Sequence, residues 1–152
     1  MDEHKKLGQK IKIISNTFSR AVNCATADLG LTGPQSFILG FLLVHRDDPP
    51  CQHDIETKFN LKHPTVTGIL QRLEEKGMVT FSPDENDKRM KRIRITEDGI
   101  SLGASTAAVL DSTEAALTSD LSDDELAELN LLLDKIVSNA IKLNRSTEKE
   151  DL

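Results

Sequence analysis

Apolar residues recur at helical intervals along most of this chain, and the breaks between runs fall on glycine, proline and turn-forming polar residues. Over residues 5–29, Leu7, Ile11, Ile14, Phe18, Val22 and Ala25 share one side of a long helix that Gly30 ends. Thr32 opens a second helix. Its hydroxyl caps while Gln35 reaches back, and Pro34 suits a first turn because its missing N–H has no partner there to lose. Phe37, Ile38, Phe41, Leu42 and Val44 form its predicted inward face. Asp47, Asp48, Pro49 and Pro50 stop it, since a residue before proline is driven out of the helical region.

A short helix from Gln52 to Phe59 directs Ile55 and Phe59 inward, and Asn60, Leu61 and Lys62 turn the chain into the next helix near His63. That helix is two-faced. Val66, Ile69, Leu70 and Leu73 form an apolar seat, while Pro64, Thr65, Thr67, Gly68, Gln71 and Arg72 project from the other side. Hydroxyls, an amide and a guanidinium suit base edges in a major groove, and glycine allows close approach. An ordinary surface helix is the competing reading. Lys76 and Gly77 close the helix by charge and by left-handed backbone.

Met78, Val79, Thr80 and Phe81 then alternate like a strand, residues 82–87 read as a turn-rich loop, and Arg92, Ile93, Arg94 and Ile95 alternate again. Attached to a helix-turn-helix, this hairpin reads as a wing. Thr96 caps a long helix whose packing face is expected through Ile100, Ala104, Ala107, Ala108 and Leu117. Ser122 and Glu125 form a further capping box, with Leu121 and Leu126 at staple positions. The last helix presents Leu126, Leu129, Leu133, Ile136, Val137, Ala140 and Ile141, widened by Leu132 and Leu143. Residues 146–152 read as a charged, frayed tail.

The fold class is therefore mainly α with a small β-hairpin wing (α+β), in a single domain over 1–152. Residues 32–96 form the winged helix-turn-helix module. The helices of 1–30 and 97–145 carry more apolar surface than such a module needs, which predicts a two-fold homodimer matched to repeated half-sites; burial within the monomer is the alternative.

Charge sharpens the reading. The chain has a formal net charge of -6, yet residues 62–94 carry eight basic and five acidic side chains, while 95–152 carry four and thirteen. Lys88, Arg89, Lys91, Arg92 and Arg94 crowd the wing, as a phosphate-contacting surface requires. A solvated loop would need no such bias of sign. With five Phe and no Trp or Tyr, a stacking platform for single strands is poorly supplied, so duplex DNA is favoured.

Two cysteines without metal-type spacing describe no disulfide framework, and no N-terminal apolar run resembles a signal peptide or membrane span, so a reducing cytoplasm is expected. His4, His45, His53 and His63 show no recurring ligand spacing, and no phosphate-cradling loop or nucleophile motif occurs. The expectation is no cofactor, no metal and no enzyme. A winged-helix adaptor that binds protein is the rival class; its recognition face should be acidic or apolar, unlike Thr65, Thr67, Gln71 and Arg72.

The run Ser82-Pro83-Asp84-Glu85-Asn86-Asp87-Lys88-Arg89-Met90-Lys91-Arg92-Ile93-Arg94-Ile95-Thr96-Glu97-Asp98-Gly99 resembles the wing signature of the multiple antibiotic resistance regulator (MarR) family, an Asp-x-Arg tip running into a Leu-Thr-x-x-Gly helix start, with Ile95 in place of leucine. Leu70 to Val79 is similar to that family's recognition-helix exit, and the order of parts matches nearly throughout. The resemblance implies that Arg89 enters a minor groove, flanked by Lys88 and Lys91, while Asp87 orients the wing's basic side chains. It also implies a homodimeric repressor on a pseudo-palindromic DNA operator, released by a small lipophilic or phenolic effector bound between the dimerisation helices and the winged module. Phe18, Phe37 and Phe41 are candidate pocket walls, with plain core as the alternative. Some relatives sense peroxides through a cysteine near the first helix. That role would fall to Cys24, but this chain lacks the tyrosines such a thiol uses, so Cys24 is expected as buried packing and Cys51 as a loop thiol.

Overall fold

Helix α1 (Leu7–Thr26) runs into a 3-10 turn, Ala27–Leu29, and Gly30 then reverses the chain at φ +69°, a left-handed conformation that favours glycine. The structure, a computed structural model, describes residues 6–150, with side chains described through 147. His4 and the last two residues of the expected tail lie outside the described residues. The chain divides into two compact units, Met1–Glu114 and Ala115–Leu152.

In the first unit, α2 (Gly33–Val44) is entered through the capping box that Thr32 and Gln35 predict: the Gln35 N–H donates to Thr32 Oγ1 at 3.4 Å, and the Thr32 N–H donates to Gln35 Oε1 at 3.2 Å. Ile38, Leu39 and Leu42 of α2 are buried. Leu39 replaces Val44 in the expected face. Val44 is 78% exposed, because it ends the helix on the side turned away from this core. On α1, Val22 and Thr26 are buried while Ala25 is exposed.

Helix α3 (Gln52–Phe59) starts where Asp54 Oδ2 accepts the Cys51 N–H at 2.8 Å, and Asn60 ends it at φ 49°. Helix α4 (His63–Glu75) follows the expected turn and is closed by Gly77 at φ +73°. Lys76 does more than oppose the helix dipole. Its Nζ donates to Gly30 O and, at 3.1 Å, to Gln35 Oε1, tying the end of α4 to the α1–α2 turn.

Strands β1 (Val79–Pro83) and β2 (Lys91–Ile95) pair antiparallel from Val79 with Ile95 to Pro83 with Lys91. The α2–α3 linker adds a third edge: Cys51 bridges Arg92, and the Ile93 N–H donates to Pro50 O at 2.8 Å. The core beneath joins Ile55 of α3, Val66, Leu70 and Leu73 of α4, and Val79 and Ile93 of the hairpin to the α2 face. It is aliphatic, as a chain this poor in aromatics requires.

Thr96 caps α5 (Glu97–Leu117) by accepting the Gly99 N–H at 3.0 Å, while its own hydroxyl donates to Gly77 O at 2.7 Å. The buried face of α5 is Gly99, Gly103 and Thr106, not the expected stripe through Ile100, Ala104, Ala107, Ala108 and Leu117; Leu117 is exposed. Close approach requires glycine at Gly99, whereas Gly103 has room for ordinary contact. A Cβ on Gly99 would sit 2.2 Å from Met78 O, and one on Gly103 would meet Leu43 at 3.5 Å.

The second unit is α6 (Asp123–Glu150), opened by the predicted box: the Ser122 N–H donates to Glu125 Oε2 at 2.8 Å, and the Glu125 N–H to Ser122 Oγ at 3.2 Å. The helix continues to Glu150, past the position where fraying was expected. No described α6 side chain is buried, and Leu129, Leu132, Leu133, Val137 and Leu143 are exposed. Among the described residues, no single helix is long and apolar enough to cross a membrane.

Gly99→Ala should cost about 1–3 kcal/mol, towards the upper end because the obstructing atom is backbone. Gly40→Ala, a helical site with open space around the added methyl, should gain about 0.5–1 kcal/mol. Urea midpoints check both; equal midpoints would refute the close α5 contact.

Candidate nucleic-acid interface

Seating Val66, Leu70 and Leu73 in the core turns the opposite side of α4 outward. Pro64, Thr65, Thr67, Gln71 and Arg72 are exposed there, and Gly68 is half-buried with open space above it. Thr65, Gln71 and Arg72 make no side-chain hydrogen bond or ion pair among the described residues. Thr67 differs. Its hydroxyl donates to His63 O at 2.9 Å and accepts from Gln52 Nε2 at 2.8 Å, which leaves it one lone pair for anything outside. Its spacing on α4 does not reveal this, because Gln52 arrives from α3.

The wing is organised by a residue that the sequence reading placed in a generic loop. Asp84 is 7% exposed. Its Oδ1 accepts the N–H groups of Asn86 and Asp87 at 2.8 and 2.9 Å, and its Oδ2 is paired with Arg92 Nε. The Asp87 amide, then Arg92, then the Asn86 amide hold the carboxyl down to about 2. Arg92 also donates from Nη1 to Pro49 O at 3.0 Å. The five-residue basic cluster is thus divided. Arg92 is internal, Arg94 Nε donates to Ser82 Oγ at 3.0 Å, and Lys88, Arg89 and Lys91 remain exposed.

Arg89 is 96% exposed at the tip. Asp87 Oδ1 accepts its backbone N–H at 3.0 Å and lies 3.7 Å from its Nε. Asp87 therefore shapes the turn at Arg89 and only loosely pairs its charge. Gln52, Thr67, Gln71, Glu74, Phe81 and Lys91 line an open groove between α4 and the hairpin.

A second groove, mainly apolar, is lined by Phe37, Phe41, Val44, Phe59 and Leu110, with His45 and Lys58 also on its wall. The structure brings Phe37 and Phe41 together here, while Phe18 stacks on Phe37 at 5.8 Å between ring centroids. Phe41 meets Phe59 edge-on at 5.7 Å and His45 at 4.1 Å. All three rings are partly buried, and Phe41 also packs against the core.

The two thiols exchange their expected settings. Cys24 is exposed, on the side of α1 opposite the buried Val22 and Thr26, and Cys51 is buried where the linker bridges β2. Among the described residues, no group of three or more His, Cys, Asp and Glu side chains is placed to hold a metal ion.

A sequence model of the MarR family matches residues 29–90, the span of the helix-turn-helix and most of the wing. MepR of S. aureus, in a complex with DNA, matches with a TM-score of 0.84 at 27% identity, covering 91% of this chain and 99% of that one. The transcription regulator MarR of Oenococcus oeni PSU-1 gives 0.78 at 28%, over 88% and 99%. A mutant MarR from E. coli complexed with operator DNA gives 0.77 at 25%, over 88% and 95%.

Asp84 ionises below the ordinary carboxylate value of 3.8, so its stabilisation of the wing is present above that value and is lost as pH falls towards about 2. Asp84→Asn should lower the melting temperature at neutral pH, and its gap from the parent should close across that acid window. Melting curves taken against pH decide this: a gap that stays constant would show that the charge of Asp84 is not what holds the wing.

Proposed function

We propose that the chain is a winged helix transcription regulator of the MarR family, whose sequence model matches residues 29–90, and that it binds a pseudo-palindromic duplex operator as a homodimer and represses transcription until a small effector releases it. The observation that carries the reading is the pairing of an exposed polar face on α4 with a cationic wing tip on one frame. Thr65, Gln71 and Arg72 have donors and acceptors free for base edges, at about 1–3 kcal/mol of discrimination for each good bidentate contact. Gly68 and Pro64 let the helix backbone approach, and Thr67 offers an acceptor. Lys88, Arg89 and Lys91 meet phosphate, with Arg89 reaching the minor groove.

Exposed apolar surface supports dimerisation. Leu7, Ile11 and Ile14 of α1, and separately Leu129, Leu132, Leu133 and Val137 of α6, are exposed apolar side chains on helical faces. A second copy covers such faces and sets two recognition helices at the spacing of successive grooves.

The groove walled by Phe37 and Phe41, with Phe18 behind Phe37, suits a lipophilic or phenolic acid, whose charge Lys58 and His45 can meet. Phe59 joins this groove to the functional helix, because it ends α3 one residue before the Asn60 turn into α4. A ligand that displaces Phe59 moves that turn. Release requires only that the ligand prefer the state in which α4 and the wing miss successive grooves.

Duplexes selected from a random pool should bind with an affinity that falls steeply with salt. Arg89→Ala should weaken most duplexes and reduce the salt slope by about 1, whereas Gln71→Ala should mainly blur discrimination between selected and scrambled sites. Unchanged affinity of Arg89→Ala at physiological salt would remove the wing from the interface. Failure of the parent to bind any duplex at low salt would favour a protein-binding adaptor.

A further inference from the structure

The ring of His63, at the first position of α4, is held in place by two residues of α3. Its Nδ1 lies 2.6 Å from Glu56 Oε1, and the same oxygen accepts from Gln52 Nε2 at 3.0 Å. Two lone pairs cannot face each other at 2.6 Å, so Nδ1 carries the proton and donates it to Glu56. Gln52 Nε2 also lies 3.0 Å from Nδ1, but a protonated Nδ1 cannot accept; the two Gln52 hydrogens go to Glu56 and Thr67 instead. Nε2 is then the ring nitrogen without a hydrogen-bond partner among the described residues. The ring side chain is 74% exposed and Glu56 17% exposed, so the carboxylate lies beneath the ring while the ring itself is open to the outside. Burial opposes charge on Glu56, but hydrogen bonds from Gln52 and His63 outweigh it and hold the carboxyl below its ordinary range.

Resting on the DNA-binding reading, we propose that His63 is a proton-dependent phosphate contact: Glu56 and Gln52 aim its Nε2 at the duplex backbone beside the groove that α4 enters, and binding takes up one proton there. The N-terminal turn of α4 favours an anion at the same place. Glu56 and the incoming phosphate both favour the imidazolium. His53, whose Nδ1 lies 3.7 Å from Glu56 Oε2, and Lys62 in the preceding turn oppose it. Glu74 and Lys91 line the groove beyond Thr67. A protonated Nε2 donates to a phosphate oxygen and a neutral one has no hydrogen to give, so the added affinity is present at acid pH and disappears as pH rises.

The test is to titrate a mixed-sequence duplex of about three helical turns at low salt, from about pH 8 down to about pH 5.5, with the parent, His63→Gln, His53→Gln and Glu56→Gln. The parent should gain roughly threefold to tenfold in affinity over that range. His63→Gln should bring the ratio of low-pH to high-pH affinity towards one, whatever its absolute affinity. His53→Gln should keep the parent's ratio, and Glu56→Gln should move the gain to lower pH. A parent ratio retained in His63→Gln, or a parent that binds equally at all pH values, overturns the inference and leaves DNA binding intact. No binding by the parent at any pH overturns the DNA-binding reading and this inference with it.

Discussion

The buried carboxylate of Asp84 fixes the one geometric relation on which the candidate interface depends. A two-stranded hairpin has little independent stability, and this one projects a charged tip into solvent. Asp84 ties the tip loop to itself through the Asn86 and Asp87 amides and ties β2 to the loop through Arg92. Arg92 then reaches Pro49 O, and Ile93 bonds to Pro50 O, so the wing is fastened to the linker that leads into α3. Because α3 and α4 share the core through Ile55, Val66 and Leu70, the wing and the exposed face of α4 move as one frame. Arg92 keeps about a third of its side chain in solvent, so desolvation of the pair is partial. The amide hydrogen bonds to Asp84 outweigh it, so the pair both stabilises the wing and fixes its register.

Within that frame the polar groups divide by what surrounds them. Gln71 and Arg72 extend from α4 with every donor unused, whereas the Thr67 proton is taken by the helix and one of its lone pairs by Gln52. Thr67 therefore contributes mainly shape, a methyl and a single acceptor, and it braces α4 against α3. Stiffening matters here because a base-edge contact discriminates only if its angles are held. Gln52, which contacts Glu56 and Thr67 at once, supplies that stiffness from outside the recognition helix.

Features fixed by neighbours in sequence were legible beforehand. The Thr32–Gln35 and Ser122–Glu125 boxes, the Thr96 cap, the α3 bounds and the closing glycines all rest on contacts three or four residues long. Helical periodicity likewise placed Val66, Leu70 and Leu73 inside and Gln71 and Arg72 outside. The illegible features depend on partners far along the chain. Asp84 read as one acid among several in a loop, because its Asn86 and Asp87 amide partners are backbone groups that composition does not single out, and Arg92 reaches it only across the paired hairpin and Pro49 only where the linker bridges β2. The α5 stripe of Ile100, Ala104, Ala107, Ala108 and Leu117 differs from the face buried here for a related reason: apolar periodicity gives glycine and threonine no weight, while the approach to Met78 O admits only Gly99. Cys24 and Cys51 were exchanged because hydrophobicity alone does not say which face of α1 is covered or that the linker lies against the hairpin.

Net charge misleads for this chain, and screening explains why. The formal charge of -6 arises in the C-terminal third, but charges in solvent act over a Debye length of about 8 Å at physiological salt. The field at the wing tip is therefore set by Lys88, Arg89 and Lys91 and by the acids of the same loop. Asp84 is already neutralised by Arg92, so it subtracts little. Asp87 is the nearest remaining anion, and at 3.7 Å in solvent its pairing with Arg89 contributes at most about 1 kcal/mol. A phosphate can displace so weak a partner. The stronger bond, from the Arg89 N–H to Asp87 Oδ1, survives that exchange because it is made by the backbone. The tip thus keeps its shape while its guanidinium changes partners, which is what a cation must do to grip a polyanion without reorganising the loop that carries it.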